Sequence, residues 1–424
     1  MKAAFYTLGC KVNQYETEVM QTAFQKAGYT VVSPHDDADV FVINSCTVTA
    51  SGDQKTLRAV RKFRRENPFS VIALTGCLPQ AFPERATVCE ADVVTGVSGR
   101  ARLVEKVQAF LKDRQQSVCI SNVPDAFEPM RVEQFAHRTR AFVKISDGCN
   151  QFCSYCIIPY ARGRVRSKQM EDLKLELSAL SDAGYKEVVL TGINLCCYGR
   201  DIGLSLIDAV ELACSFDFSR VRLGSLEPEL ISDEDIKRMS ALPKLCPQFH
   251  LSLQSGCDET LKRMNRRYDT GEYKLLADKL RTAFPGCAIT TDIMAGFPGE
   301  TDDEFAKTLS FVKQSAFAKT HIFPYSRRPG TPAAGFPDQV DKNLKTLRCK
   351  QLSEATKASE IDYLSSLKGK VCSVLFETFQ GGVYEGLTDT YVTVRVKSES
   401  DLRKQIRQVR IEKIDEKKGV CYGI

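Results

Sequence analysis

The sequence predicts an α/β protein with a parallel-sheet N-terminal domain, a central partial (βα)6 barrel and a small all-β C-terminal barrel. Two patterns lead to this fold class. From residue 2 to about residue 368, short apolar runs alternate with helical stretches, which is typical of βαβ units and parallel sheets. From residue 369 onward, short alternating runs follow one another at even spacing, which indicates a small β-barrel.

Length and composition indicate a protein of several domains. A chain of 424 residues is too long for one ordinary hydrophobic core. We expect domains at 1–116, 135–368 and 369–424, with a proline-containing linker at 117–134. The sequence contains no run that approaches 18 apolar residues, and its start turns polar too early for a signal peptide. We therefore expect a cytoplasmic protein without a membrane partner.

Each of three predicted N-terminal strands is followed by a cysteine. The strands are Lys2–Leu8, Asp39–Asn44 and Ser70–Leu74, and the cysteines are Cys10, Cys46 and Cys77. Because the carboxyl ends of parallel strands share one edge of a sheet, thiols that are 36 and 31 residues apart in sequence can converge there. In a reducing cytosol, such a group indicates a metal site more often than a disulfide.

A second cysteine trio, Cys149, Cys153 and Cys156, comes shortly after the apolar run Ala141–Ser146. Iron–sulfur clusters normally take four thiolates, so three thiolates leave one iron of a 4Fe-4S cubane open to a substrate or cofactor. The run is the first of six strand-like runs that indicate a six-unit partial barrel, whose chemistry is expected at the strand carboxyl ends. The other five runs are Glu187–Thr191, Val221–Ser225, Phe249–Leu253, Ala288–Met294 and Thr320–Pro324.

The second trio, with Tyr155 before its last cysteine, resembles the signature of the radical S-adenosylmethionine (SAM) superfamily. The resemblance implies that Cys149, Cys153 and Cys156 hold a 4Fe-4S cluster whose open iron chelates SAM. Residues at the strand ends should then line the SAM pocket. Those assigned to cofactor binding are Tyr155, Gly192, Asn194, Gln254, Ser255 and Gly296. The Gly-Gly-Glu of many radical SAM enzymes is absent, so the group that holds the SAM amino end stays open.

Three basic segments are candidates for contacts with phosphate. The first follows the second trio, and we assign its cations to substrate binding, with an internal salt-bridge strap as the alternative. These cations are Arg162, Arg164, Arg166 and Lys168. Residues 55–65 hold six cations and no acid, so an RNA contact and a solvated surface are both open. For the group at 262–267, a solvated helix face is the better interpretation.

The C-terminal region is basic. Residues 395–424 contain nine basic and five acidic residues. Aromatic side chains at Phe379, Tyr384 and Tyr391 are available to stack on bases. Small basic barrels commonly bind nucleic acid, so we expect an RNA partner.

Blocks along nearly the whole chain resemble the methylthiotransferases, in the order of that family. The blocks are residues 7–14, 44–49, 75–80, 190–194, 251–256 and 292–301. The resemblance implies that Cys10, Cys46 and Cys77 hold a second 4Fe-4S cluster. The C-terminal position and sequence of residues 386–392 resemble the TRAM domain of tRNA-modifying enzymes, which makes tRNA the expected partner.

The block at 7–14 is most similar to the tRNA branch that acts on N6-threonylcarbamoyladenosine at position 37. The resemblance implies hydrogen abstraction from adenine C2 by a SAM-derived radical, sulfur delivery through the N-terminal cluster, and methyl transfer from a second SAM. It also implies a reduced electron donor protein. Isopentenyl-adenosine in tRNA and an aspartate of a ribosomal protein stay open as substrates. A two-cluster electron carrier or scaffold is the alternative from another class, and the oligomeric state stays open.

Overall fold

The computed structural model of the chain describes residues 1–135 and 138–424. It contains a six-stranded sheet, two four-stranded sheets and a closed C-terminal barrel. The predicted α/β fold class is confirmed. Within the two described ranges, no helix is both long enough and apolar enough to cross a membrane.

The N-terminal region folds as a doubly wound parallel sheet. Its elements are β1 (Lys2–Thr7), α1 (Lys11–Lys26), β2 (Thr30–Val32), β3 (Val40–Ser45), α2 (Ala50–Glu66), β4 (Val71–Gly76), α3 (Cys77–Ala81), α4 (Pro83–Thr87), β5 (Val93–Thr95), α5 (Leu103–Asp113) and β6 (Ser117–Cys119). The strand order is β2-β1-β3-β4-β5-β6. The chain reverses its direction across the sheet between β1 and β3, which is the switch point where such sheets bind ligands. Because β6 pairs with β5, the sheet extends past residue 116 to Cys119.

The central region contains the barrel strands and the helices that cover them. Its elements are β7 (Ala141–Asp147), α6 (Ile158–Arg162), β8 (Arg166–Ser167), α7 (Met170–Asp182), β9 (Glu187–Gly192), α8 (Leu206–Ser215), β10 (Arg220–Leu223), β11 (Ser225–Leu226), α9 (Asp233–Ser240), β12 (Gln248–Leu251), α10 (Asp258–Arg263), α11 (Thr270–Ala283), β13 (Ala288–Ala295), α12 (Asp302–Gln314), β14 (Lys319–Pro324) and α13 (Lys342–Ser365). The central strands form the sheets β10-β9-β7-β8 and β11-β12-β13-β14, and Val221 of β10 makes an isolated bridge to Leu245, which lies just before β12. All six predicted strands are present, and the two-residue strands β8 and β11 are additional.

Helix α1 joins the N-terminal region to the central barrel. Its Tyr15 and Val19 are part of the hydrophobic core of the central region. The Tyr15 hydroxyl donates a hydrogen bond to the backbone oxygen of Met130 at 3.0 Å. Met130 and Val132 lie in the segment predicted as a linker, and both are buried in the same core. The end of that segment is therefore packed against the barrel.

The C-terminal region is a closed barrel of five strands. They are β15 (Val371–Gln380), β16 (Val383–Thr388), β17 (Thr393–Val396), β18 (Ile406–Asp415) and β19 (Val420–Gly423). The order around the barrel is β15-β16-β17-β19-β18, and β15 closes it by pairing with β18. Inward side chains such as Val374, Val394 and Ile411 fill the interior, as the alternating sequence pattern requires.

Two buried arginines attach this barrel to the strands of the central region. Arg222 on β10 lies beside Glu187 on β9, with Nε and Oε1 2.8 Å apart, and both side chains are fully buried. Arg222 also donates to the backbone oxygens of Asp389 and Thr388 at 2.8 and 3.1 Å. Arg220 donates to the backbone oxygen of Leu387 at 3.1 Å. The contact lies at the start of β9 and of β10, away from the strand ends where barrel chemistry is expected.

The first prediction concerns this attachment. In the Arg222→Met variant, the buried Glu187 carboxylate loses one of the cations that balance its charge. Two hydrogen bonds to the C-terminal barrel are lost as well. Breaking a buried ion pair from one side costs roughly 3–5 kcal/mol. Hydrogen exchange should therefore show reduced protection of β15–β19 in this variant.

Arg238→Met is the matched control. Arg238 pairs with Asp208 and Glu211 at a site where about a third of its side chain is exposed. The loss of a surface pair costs about 0–1 kcal/mol. Equal loss of protection in the two variants would show that Arg222 does not hold the barrel.

Candidate active site

The N-terminal cysteines follow three adjacent strands at the switch point of the sheet. Cys10 comes after β1, Cys46 after β3 and Cys77 after β4, and β3 lies between the other two strands. Glycines with φ of +105° precede Cys10 and Cys77. A Cβ on Gly9 would lie 2.7 Å from the Cys46 Cβ, and a Cβ on Gly76 would lie 2.6 Å from the Ser45 oxygen. Glycine is required at both positions because the cysteine loops pack so closely.

The thiols of the N-terminal trio lie close enough together to change one another's pKa values. Burial, and then the nearby Cys77 thiolate, raise the pKa of Cys46 to about 12. Burial also raises the pKa of Cys77, although the positive charge of Arg162 opposes this shift. Cys10 contributes to both shifts, so all three thiols lie within electrostatic range. Buried thiols with raised pKa values favour the protonated form, and iron would have to displace those protons on binding.

The second trio lies at the carboxyl end of β7. Cys153 and Cys156 share a tight turn in which the Cys156 amide donates to the Cys153 oxygen at 2.9 Å. Burial raises the pKa of all three thiols. The Cys153 thiolate further raises the pKa of Cys149 and of Cys156, and the Cys149 thiolate raises that of Cys156. Two side chains donate to the sulfurs: Asn194 Nδ2 to Cys149 at 3.6 Å, and Arg266 Nη1 to Cys153 at 3.3 Å.

Three buried oxygens of residues that follow barrel strands lack hydrogen-bond partners in the described part of the chain. They are Asn194 Oδ1, Gln254 Oε1 and Glu229 Oε2. Gln254 also has a φ of +65°, a strained conformation for a residue other than glycine, which is often found at functional sites. Buried acceptors normally find donors. The ammonium and ribose hydroxyls of SAM are donors of the required kind, so the residues at these strand ends fit this cofactor.

Neither trio is arranged to bind a single ion. Across residues 1–135 and 138–424, no three His, Cys, Asp or Glu side chains are grouped as one metal ion would require. A cubane differs from a single ion because it binds each thiolate through a different iron, which allows wider separation of the sulfurs. A grouping that suits one ion is therefore not required at a cluster site.

Two short helices bring the trios to facing surfaces. Helix α3 begins at Cys77, and helix α6 begins two residues after Cys156. Cys77 packs against Ala161 of α6, and Leu78 packs against Ile157. Arg162, the last residue of α6, donates from Nε to the Cys77 sulfur at 3.2 Å. The cysteine edge of the sheet and the cysteine loop of the barrel therefore pack directly against each other.

The remaining residues predicted to bind the cofactor have varied surroundings. Tyr155 packs edge-on against Phe297, with ring centroids 6.4 Å apart. Gly192 lies against Ser146 on the neighbouring strand. The Ser255 hydroxyl lies 3.3 Å from that of Thr308, and the Gly296 amide donates to Glu300 at 3.1 Å. The Ser255 hydroxyl and the Gly296 amide therefore already have partners within the protein. The assignment of Ser255 and Gly296 to SAM binding stays a prediction.

The basic loop after the second trio differs from its predicted role. Arg162, Arg166 and Lys168 are buried and pair with carboxylates, so they cannot contact substrate phosphate in this structure. Lys168 pairs with Glu176 and donates to the Met130 oxygen at 2.8 Å. The salt-bridge strap, the alternative interpretation, describes these three residues. Arg164 alone is exposed, and it stacks on Phe152 at 4.9 Å.

Sequence reasoning missed the buried partners of the cysteine loops. The pattern at 262–267 predicts a solvated helix face, yet the Arg266 side chain is 3% exposed and pairs with Glu227. Glu16 on α1 is fully buried beneath the N-terminal trio. Asn13 donates to the backbone oxygens of Leu8 and Ser45, which precede Cys10 and Cys46. The available signal was the position of Asn13 and Glu16, three and six residues after the predicted ligand Cys10.

The aromatic residues predicted to stack on bases differ in exposure. Tyr384 is buried, whereas Phe379 is 51% exposed. Tyr391 lies among three cations, with its ring centroid 4.9 Å from Arg222, 5.3 Å from Arg140 and 5.5 Å from Lys11. Tyr391 thus contributes to the attachment of the C-terminal barrel, and Phe379 is the most exposed of the three.

Comparison with known proteins agrees with this architecture. Residues 2–97 match the uncharacterized protein family UPF0004, and residues 143–312 match the radical SAM superfamily. The fold is also similar to a solved radical SAM methyltransferase, TsrM from Kitasatospora setae, with a TM-score of 0.58 and 14% identity. That match covers 78% of this chain and 76% of the other.

Two curated relatives are more similar in sequence. The threonylcarbamoyladenosine tRNA methylthiotransferase MtaB of Bacillus subtilis (strain 168) is 39% identical over 423 residues, covering 97% of this chain and 93% of that protein. The tRNA-2-methylthio-N(6)-dimethylallyladenosine synthase of Clostridium novyi (strain NT) is 35% identical over 382 residues, covering 88% and 84%. Identity at this level along almost the whole length of both proteins makes this chain a member of the radical SAM tRNA methylthiotransferase family, and hence an enzyme.

Proposed function

We propose that this enzyme inserts sulfur at C2 of N6-threonylcarbamoyladenosine at position 37 of tRNA and methylates that sulfur. The relative that is named for this substrate, MtaB of Bacillus subtilis, matches 97% of the chain, whereas the dimethylallyladenosine synthase matches 88%. Sequence similarity alone leaves both substrates open. The observation that carries the choice is the polar inner wall of the barrel.

The inner wall is formed by alternate residues of β12, β13 and β14. Phe249 and Leu251 are buried in the core with the covering helices, so the neighbouring residues lie on the opposite, inner face. His250 Nδ1 lies 3.0 Å from the Thr290 hydroxyl, and its Nε2 lies 3.3 Å from Asp292. The ring of His321 lies 5.8 Å from that of His250.

This wall suits a hydrogen-bonding substituent better than a hydrocarbon. A threonylcarbamoyl group carries a carboxylate, a hydroxyl and a urea, which can bond to His321 and to the Asp292 oxygen that His250 does not contact. An isopentenyl group could not replace the water that solvates His321 and the second oxygen of Asp292, which costs about 1–3 kcal/mol for each group left without a partner. An aspartate of a ribosomal protein is polar as well, and the experiment below treats it as a separate outcome.

We infer that Cys149, Cys153 and Cys156 hold one 4Fe-4S cluster and that Cys10, Cys46 and Cys77 hold a second. When bound, the barrel cluster supplies the electron for reductive cleavage of SAM. The protein contributes the surroundings of the site. Arg266 donates to the Cys153 sulfur at 3.3 Å. Asn194, Gln254 and Glu229 present acceptors for SAM, and the packing of α3 on α6 excludes water from the region between the trios.

We propose that substrate tRNA contacts at least two basic surfaces of the protein. On α2, Lys55, Arg58 and Arg61 are exposed, and among the described residues no carboxylate lies within ion-pair distance of them. They line a groove of about 550 Å³ together with Tyr6 and His35. On the C-terminal barrel, which we propose is a TRAM domain spanning 369–424, exposed Arg407 and Arg410 lie on β18. Arg164 beside Phe152 is a third candidate.

A two-cluster electron carrier is the alternative from another class. Carriers commonly saturate each cluster with four thiolates, whereas three cysteines are proposed for each cluster here. The unpartnered acceptors at Asn194 and Gln254 also favour a bound small molecule. Incubation of the reduced, reconstituted protein with SAM distinguishes the two: the enzyme forms 5′-deoxyadenosine, and a carrier does not.

The substrate prediction is tested by supplying three substrates separately. These are tRNA with N6-threonylcarbamoyladenosine at position 37, tRNA with N6-isopentenyladenosine there, and a ribosomal protein extract. We expect methylthiolation of the first, detected by nucleoside analysis. Replacing His321 by Leu should lower kcat/KM on this tRNA about 10- to 100-fold, because a bond to a charged group contributes roughly 1.5–3 kcal/mol. Product from only the second or third substrate would refute the assignment.

The next prediction separates the roles of the trios. Cys10→Ala, Cys46→Ala and Cys77→Ala together should lower the iron content from about eight to about four per chain. This variant should still cleave SAM reductively but should not thiolate tRNA. The corresponding triple variant of Cys149, Cys153 and Cys156 should do neither.

A melting curve must accompany these measurements. If the N-terminal triple variant is folded, retains about four irons and still produces methylthiolated adenosine, Cys10, Cys46 and Cys77 do not serve sulfur insertion.

The RNA prediction concerns α2. Replacing Lys55, Arg58 and Arg61 by Gln should weaken tRNA binding and reduce the slope of log affinity against log salt by roughly 0.7–0.9 for each phosphate that the variant no longer binds. The matched control replaces Lys237, Lys274 and Lys307, which are exposed but pair with carboxylates. An equal change in slope for both sets would show that only overall charge matters.

A further inference from the structure

A buried ion network lies between the two cysteine trios. Its centre is Glu16 of α1, which is fully buried. Arg100 reaches it from the N-terminal region, with Nη2 and Oε2 2.8 Å apart. Lys144 and Arg162 reach it from the central region at 2.7 and 2.8 Å. Burial opposes ionisation of Glu16, but the three cations outweigh it and lower the pKa of that carboxyl to about 2.

A second carboxylate extends the network on the barrel side. Asp147, at the end of β7, pairs with Lys144 at 2.6 Å, Arg162 at 3.1 Å and Arg166 at 3.5 Å. The ion pairs of the described residues therefore join four buried cations to two carboxylates. Glu128, which is partly buried, accepts the backbone amide of Arg100 at 3.0 Å. An excess of buried positive charge is unfavourable unless a further anion lies against it.

Arg162 connects this network to the N-terminal cysteines. Arg162 Nε donates to the Cys77 sulfur at 3.2 Å, and its Nη2 donates to the side-chain oxygen of Asn13 at 2.8 Å. Asn13 in turn donates to Leu8 O at 2.8 Å and to Ser45 O at 2.9 Å. These two carbonyls precede Cys10 and Cys46. Arg162 thus touches one cysteine loop directly and holds the other two through Asn13.

Along the chain, Arg162 lies next to the barrel trio, Cys149, Cys153 and Cys156, and not next to the N-terminal trio. It ends α6, six residues after Cys156, and is fully buried. Its donors are directed to Cys77, Asn13, Glu16 and Asp147, so rotation of the side chain would break several bonds at once. The fixed fork of a guanidinium suits this arrangement, and an ammonium would not reproduce it.

We propose that Arg162 is a positioning residue for the N-terminal trio, through which the central barrel fixes the three cysteine loops and compensates the charge of their thiolates. The proposal rests on the function given above for Cys10, Cys46 and Cys77. It follows that the N-terminal cluster is held firmly only while the two regions are docked. Groups that hydrogen-bond to metal ligands typically change metal affinity 10- to 100-fold when they are removed.

Iron release tests the proposal without an activity assay. The full chain carrying Cys149→Ala, Cys153→Ala and Cys156→Ala is reconstituted anaerobically, so that only the N-terminal trio binds iron. Its loss of iron to a chelator is followed by absorbance with Arg162 intact, with Arg162→Gln and with Arg162→Lys. We expect about 10- to 100-fold faster release for the Gln variant. Iron release from the Arg162→Lys variant should be intermediate in rate between the other two, because lysine keeps the positive charge but lacks the planar set of donors of the guanidinium.

Two controls separate positioning from general stability. Arg164→Gln alters the exposed neighbour in the same loop and should leave the release rate unchanged. Arg162→Gln in the chain with Cys10, Cys46 and Cys77 replaced by alanine should leave release from the barrel trio unchanged. Unchanged release from the N-terminal trio, or equal acceleration at both trios, would overturn the proposal and leave Arg162 as a structural strap. Failure of the N-terminal trio to bind iron with Arg162 intact would instead overturn the proposed function as well.

Discussion

A guanidinium that is removed from water must find every acceptor within the protein, and Arg162 finds its acceptors on both sides of the contact between the N-terminal sheet and the barrel. It bonds to Glu16, Asn13 and Cys77 on one side and to Asp147 on the other. The apolar contacts of α3 with α6 and of Tyr15 with the barrel core support this arrangement. The relative position of the two trios thus follows from the satisfaction of one buried cation.

The sequence predicted those features that depend on order along the chain. Strands appear as apolar runs, and a cysteine placed just after such a run must lie at the carboxyl edge of a parallel sheet. This is why the edge positions of Cys10, Cys46 and Cys77 could be derived from the order of residues alone. The same reasoning located Asn194 and Gln254, whose buried oxygens lack partners in the described ranges.

Features that depend on distant partners could not be predicted in this way. Arg162 and Arg164 are two residues apart in one basic loop, yet one is fully buried and the other is exposed. The difference arises from Glu16, which is 146 residues away along the chain. The helical spacing around Arg266 likewise indicates a solvated surface, because its partner Glu227 lies on another strand end. A local sequence pattern shows where the charged residues lie along the chain, but it does not show which carboxylate pairs with each of them in the folded protein.

The attachment of the C-terminal barrel has a consequence for biosynthesis. The carbonyls that accept the hydrogen bonds of Arg220 and Arg222 belong to residues 373–389, which are synthesised about 150 residues after the two arginines. Domains generally fold in order during translation. Until those residues emerge, the two arginines and Glu187 lack part of their final surroundings. A nascent chain that stalls before residue 373 therefore leaves these charged side chains, at the start of β9 and β10, without the carbonyls that cover them in the folded protein.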